Sequence, residues 1–142
     1  MFRRFLEWIR HFDLRKAGII NIAISVINII VHILVIKGVL PYQWVNGGRT
    51  PSFEAAQQIS SSSIFIMIPG IIITLFASQI IPVNFNKFWG IAVSALLILL
   101  LPVSFIGIIQ QFLGTMFEKC VMSIITIIGF CTAARVALEK RW

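Results

Sequence analysis

Between Ala17 and Gly38 the chain carries an aliphatic stretch long enough to cross a bilayer, which takes about 20 residues. Its few polar side chains are not scattered. Asn21, Ser25, Asn28 and His32 recur at helical spacings and share one face. A helix that is apolar everywhere except along one such stripe belongs in a membrane, with the stripe turned toward neighbouring helices. Three more apolar stretches follow, separated by turn residues, so spans are expected at about 17–38, 56–81, 88–109 and 117–138. The expected fold is all-α, an integral membrane four-helix bundle forming a single membrane domain over 1–142, with an interfacial helix over 1–13.

Composition supports this class and excludes others. With 58% hydrophobic and 12% charged residues in 142, the chain has too little polar surface for a soluble domain. The net charge of +7 sits in short flanks beside apolar spans, where anionic lipid headgroups are nearer partners than nucleic acid. Cys120 and Cys131 share one helix, where their separation would be roughly 16 Å, too far for a disulfide. With no Cys-x-x-Cys pair and no His/Cys cluster, neither a metal site nor a cofactor is expected. No small-residue cleavage site follows the start of the chain, so the first span is expected to be retained.

In Met1 to Phe12 the residues Phe2, Phe5, Leu6, Trp8 and Ile9 oppose Arg3, Arg4, Glu7 and Arg10, the pattern of an amphipathic helix lying on the membrane as a basic anchor. Asp13 is placed to cap the first span. At its far end Pro41, Tyr42 and Trp44 mark an interface, and Asn46-Gly47-Gly48 reads as a tight turn needing positive φ that presents Arg49. Thr50-Pro51 has the form of an N-cap followed by proline at the first helical position, opening a helix with Glu54 in its first turns. Pro69-Gly70 and Pro102 are kink sites, and Pro82 is expected to end the second span. Thr115-Met116-Phe117-Glu118 fits a capping box for the fourth.

Lys and Arg fall mainly on one side. Arg3, Arg4, Arg10, Arg15, Lys16, Lys87, Arg135, Lys140 and Arg141 face Lys37, Arg49 and Lys119, which predicts a cell-membrane protein with both termini cytoplasmic. In that orientation the polar residues gather in the outer half. The expected ligand-binding set is Asn28, His32, Trp44, Arg49, Glu54, Gln58, Ser61, Gln110 and Glu118, around an outward-facing pocket floored near Asn28 and lidded by the Asn46 to Arg49 turn. Against this stands the plainer reading that Asn, Gln and Ser only join helices, which is the better one for Asn21 and Ser25. The capping box accounts for Glu118 without chemistry, and Arg49 with Glu54 reads as a loop salt bridge of little consequence.

Binding of a lipid, a small amphiphile or a partner membrane protein is the first functional reading, in the role of an accessory or resistance factor. A small-molecule transporter is the alternative. An intramembrane acid/base enzyme would use His32 and Glu54, yet no activated nucleophile is readable, so no catalytic residue is assigned. Pairing of two copies in the membrane is compatible with a polar seam but not fixed by it.

The succession Pro41-Tyr42, Gly47-Gly48-Arg49, Glu54 and Phe117-Glu118-Lys119 resembles an uncharacterised family of small four-span membrane proteins from Gram-positive bacteria, over nearly the whole chain. Where many relatives have tryptophan directly before Gly-Gly-Arg, this chain has Asn46, with Trp44 slightly earlier. The resemblance implies a four-span fold and an outer-face site at His32, Arg49, Glu54 and Glu118, and it implies no activity.

Overall fold

The computed structural model describes residues 9–141. Four helices are long and apolar enough to cross a membrane: α1 (Leu14–Ile36), α2 (Phe53–Ala77), α3 (Lys87–Phe112) and α4 (Glu118–Ala137). Among the described residues there is no β-strand, and the chain is an all-α four-helix bundle of a multi-pass membrane protein. The expected interfacial helix falls largely on residues 1–8, outside the described residues; of it, Ile9 to His11 are helical.

The bundle is inside-out relative to a soluble one. Phe65 and Leu99 are 78% and 71% exposed, while Ser60, Ser78, Ser94, Ser123 and Thr132 are buried. Lipid solvates the first group, and close helix packing shelters the second, all but Ser60 with a hydrogen-bonded hydroxyl.

Local chemistry sets each helix end. The Asp13 carboxylate accepts from Lys16 N at 2.8 Å, so α1 starts at Leu14, before the expected Ala17. The cap of α2 is not Thr50: the Ser52 hydroxyl accepts from Ala55 N at 3.2 Å, and Pro51 precedes the helix rather than opening it. Similarly α2 stops at Ala77, well before Pro82, because Gln79 turns to φ 57° and the amides of Ile80 and Ile81 fold back onto Leu75 O. Asn86 caps α3 through Trp89 N at 2.9 Å. Both α2 and α3 run unbroken through Pro69 and Pro102. α4 opens with a π turn, Glu118–Met122, that no sequence signal announced.

Helix α1 packs against α2 and α4, and α4 packs against α3. Gly18 lets α1 meet the end of α2, since a Cβ there would lie 2.2 Å from Ser78 Oγ. Among the described residues α2 and α3 do not pack on one another along their lengths, so the ring of helices is open on that side. Two small cores close the ends of the bundle. Ala17, Ala77 and Val136, with Leu14, Val93 and Leu97, form one at the end carrying both termini. Val35, Val45 and Ala56, with Val31, Leu40, Tyr42 and Phe117, form the other at the Tyr42–Arg49 loop.

Arg141 completes the terminal end. Its guanidinium donates to Ala77 O at 3.1 Å, to Ser94 Oγ at 2.9 Å and to Val136 O, joining α2, α3 and α4. Two of these acceptors are carbonyls of terminal helix turns, of which Ala77 O has no backbone donor and Val136 O accepts only from Glu139 N at 3.4 Å, and a cation is favoured there. The C-terminal strand of chain passes so close to α3 that a Cβ on Gly90 would lie 2.8 Å from Arg141 O. Burial lowers the Arg141 pKa from the usual guanidinium value; Glu139 opposes the shift and Arg135 adds to it.

Candidate functional site

The polar stripe on α1 divides into two jobs. Asn21 donates from Nδ2 to Gly129 O at 3.0 Å and to Thr132 Oγ1 at 3.3 Å, which ties α1 to α4. Ser25 turns back onto Asn21 O at 3.0 Å. Both are structural, as expected for this pair. Asn28 behaves differently: among the described residues its amide has no hydrogen-bond partner, and it lines a cavity of about 310 Å³ in the middle of the bundle.

All four helices contribute to that cavity. α1 gives Asn21 to Asn28, α2 gives Gly70 to Thr74, α3 gives Leu97 to Gly107, and α4 gives Thr126 to Val136. Its Ser and Thr hydroxyls are already committed to their own helices. Thr74 donates to Gly70 O at 2.8 Å, Ser104 to Leu100 O at 3.0 Å and Thr126 to Met122 O at 2.7 Å. The walls are therefore largely apolar, Asn28 is the lining side chain that makes no hydrogen bond, and among the described residues no ionisable side chain lines the space. Gly70 and Gly107 form part of the wall, and a Cβ at either would meet no atom within 4 Å. Because the two end cores lie above and below it, the cavity communicates with the surroundings through the side where α2 and α3 do not pack.

This is not the pocket the sequence led us to expect. Asn28 is the α1 lining residue nearest the loop, so it roofs a mid-bundle cavity instead of flooring an outer one. None of Asn46 to Arg49 touches that space. Of the nine expected ligand residues, Gln58, Ser61 and Gln110 point outward as exposed side chains, and Glu54 is exposed in the first turn of α2. Arg49 is exposed, makes no ion pair with Glu54, and lays its side chain over Gly47. His32 is half-buried on α1 with its Nδ1 lacking a partner among the described residues. No hydrogen bond joins it to Glu54.

Trp44 and Glu118 do meet, in a structural clamp. The buried Glu118 carboxylate accepts from Gly47 N at 3.0 Å and from Thr115 N at 2.8 Å, while Glu118 N donates to Thr115 Oγ1 at 3.3 Å. That is the expected capping box, extended to hold the loop. Thr115 Oγ1 also donates to Trp44 O at 2.5 Å, and the Trp44 ring lies 5.9 Å from that of Phe117. Gly114 is required here, since a Cβ would fall 2.1 Å from Glu118 Oε2. Gly47 can offer its amide because it sits at φ 70°. Gln57, next to the expected Gln58, caps α1 by donating to Ile36 O at 2.9 Å.

The lining residues that sequence reasoning missed are Gly70, Thr74, Ser104, Gly107 and Thr126. The signal open to it was a pair of mid-span glycines, which the kink reading of Pro69-Gly70 absorbed. Comparison of the chain with known protein families, with curated proteins and with solved structures finds no match.

Proposed function

We propose that this small multi-pass membrane protein binds a neutral, lipid-soluble amphiphile in the mid-bundle cavity. The polar group of the ligand hydrogen-bonds to Asn28, and its apolar part reaches lipid between α2 and α3. The observation that carries this is the Asn28 amide, which makes no hydrogen bond, in a largely apolar cavity whose hydroxyls are bonded within their own helices. A carboxamide left without a partner in an apolar membrane interior is costly, and a ligand carbonyl or hydroxyl offsets that cost. About 310 Å³ is at the small end of ligand pockets, suited to one chain or ring and not to a whole phospholipid. The absence of a charged group from the lining disfavours an ionised ligand.

Binding in the service of an accessory or resistance role fits this better than turnover or transport. No hydrogen bond or ion pair joins His32 to Glu54, and the two end cores stand across a path along the bundle axis. The excess of Lys and Arg at the terminal end, with Lys37, Arg49 and Lys119 at the other, supports placing both termini in the cytoplasm.

Thermal unfolding of the protein in nanodiscs, titrated with a fatty alcohol, a monoacylglycerol, a fatty acid and an alkylammonium of one chain length, tests the proposal. The neutral pair should raise the melting midpoint and the charged pair should not, and Asn28→Leu should abolish the difference. Equal shifts for all four compounds would overturn it.

A further inference from the structure

A second groove, which shares no lining residue with the Asn28 cavity and is independent of its reading, lies between α1, α4 and the segment Ile9 to Phe12. Its volume is about 460 Å³, and its wall is Ile20, Ile127, Ile128 and Cys131, with His11 and Arg135 at the end nearest the chain termini. From Ile127 to Arg135 the helical rise is roughly 12 Å, so the groove runs from the headgroup level into the hydrocarbon.

Arg135 has a double character. It is only 7% exposed. Its Nε donates to Phe12 O at 2.6 Å and its Nη1 to Glu139 at 2.6 Å, which fixes the plane of the guanidinium. Nη2 has no partner among the described residues, and the residue lines the groove. A fixed guanidinium with a spare N–H at the polar end of an apolar groove is built to meet an oxyanion whose remainder is hydrocarbon. The surrounding charge has the same sense. Arg10, Arg15, Lys16 and Lys140 are exposed at this end of the molecule, Asp13 is the exposed acid among them, and Glu139 is already paired with Arg135.

We infer that this groove is a binding site for an anionic phospholipid, with one acyl chain against Ile20, Ile127 and Ile128 and the phosphate at Arg135 Nη2. Zwitterionic lipid offers the same chain and phosphate but adds a cation to a mouth that is already basic. The site therefore selects for anionic headgroups, and occupancy ties the segment Ile9 to Phe12 to the bundle. This site differs from the Asn28 cavity in ligand charge and in its lining residues, none of which the two share.

The full chain in mild detergent, supplied with equal amounts of phosphatidylglycerol and phosphatidylcholine, should retain phosphatidylglycerol preferentially in native mass spectrometry, by about tenfold over the mixture. Phosphatidylglycerol should also raise the melting midpoint where phosphatidylcholine does not. Ile128→Trp fills the groove from a position that is 46% exposed, so it should fold, keep its midpoint in phosphatidylcholine and lose both effects. Arg10→Gln, at an exposed position, should weaken retention only partly. Equal retention of the two lipids would overturn the inference. So would full retention by Ile128→Trp that vanishes in high salt, which marks diffuse attraction to the basic rim. Reproduction of the midpoint shift by inorganic phosphate alone would show that the acyl chain plays no part, and would equally overturn it.

Discussion

Replacing Gly107 by Leu tests the mid-bundle cavity from inside. A Cβ at position 107 meets nothing within 4 Å, and the residue lines the cavity, so the new side chain enters the space where the amphiphile is proposed to sit. Two terms decide the basal effect. Glycine in a helix interior is about 0.8–1 kcal/mol less favourable than a good helix former. Moving a leucine side chain from lipid into protein adds little, because lipid tails are as apolar as the cavity wall. The variant should therefore unfold about 1 kcal/mol less readily than wild type in a denaturing detergent titration. Ligand linkage should move the opposite way. At a hundredfold excess over Kd, a neutral amphiphile stabilises the wild type by about 2.7 kcal/mol, and this increment should vanish in Gly107→Leu. Destabilisation by more than about 1 kcal/mol would refute the open geometry at Gly107. An undiminished ligand increment would refute the location of the site.

Other variants probe the scaffold. Glu118→Ala strips the clamp of a buried, charge-assisted acceptor and leaves Gly47 N and Thr115 N unpaired, so about 2–4 kcal/mol should be lost in the same titration. Gly114→Ala should come close to that loss, because its Cβ would occupy the place of Glu118 Oε2. Asn21→Leu removes one interhelical tie between α1 and α4 and should cost only about 0.6 kcal/mol in the same titration. Arg141→Ala leaves Ala77 O without a donor and Val136 O with only Glu139 N at 3.4 Å; spin labels placed near the terminal ends of α2 and α3 should report a wider distance distribution, whereas an unchanged one would mean that Ala17, Ala77 and Val136 hold the end unaided.

Helix number, class and most helix starts were legible because they rest on local chemistry. Asp13 and the Thr115–Glu118 pair each act on amides a few residues away, and a sequence displays such pairs directly, whereas the Asn86 cap of α3 went unread. The end of α2 was misread because Pro82 is a louder signal than the left-handed turn at Gln79, a position where glycine would have been expected. The site was harder. Counting polar residues by depth collected Gln58, Ser61 and Gln110 into one outer pocket, but depth says nothing about rotation around the helix axis, and all three face outward. Because lipid exposes nearly every face to apolar solvent, the hydrophobic periodicity that fixes rotation in a soluble helix is absent here. Glu118 illustrates the converse. Its local role was readable, whereas its bond to Gly47 N depends on how the loop docks on α4.

The central claim is that a neutral amphiphile occupies the space roofed by Asn28 and entered between α2 and α3. Photolabelling in nanodiscs with a diazirine-bearing fatty alcohol, followed by peptide mapping, tests it most directly. Label should concentrate on Gly70 to Thr74 and Leu97 to Ser104, be competed away by excess unlabelled alcohol and be lost in Gly107→Leu. Label gathered at Trp44 and Arg49, or spread without competition over lipid-facing residues such as Phe65 and Leu99, would contradict it.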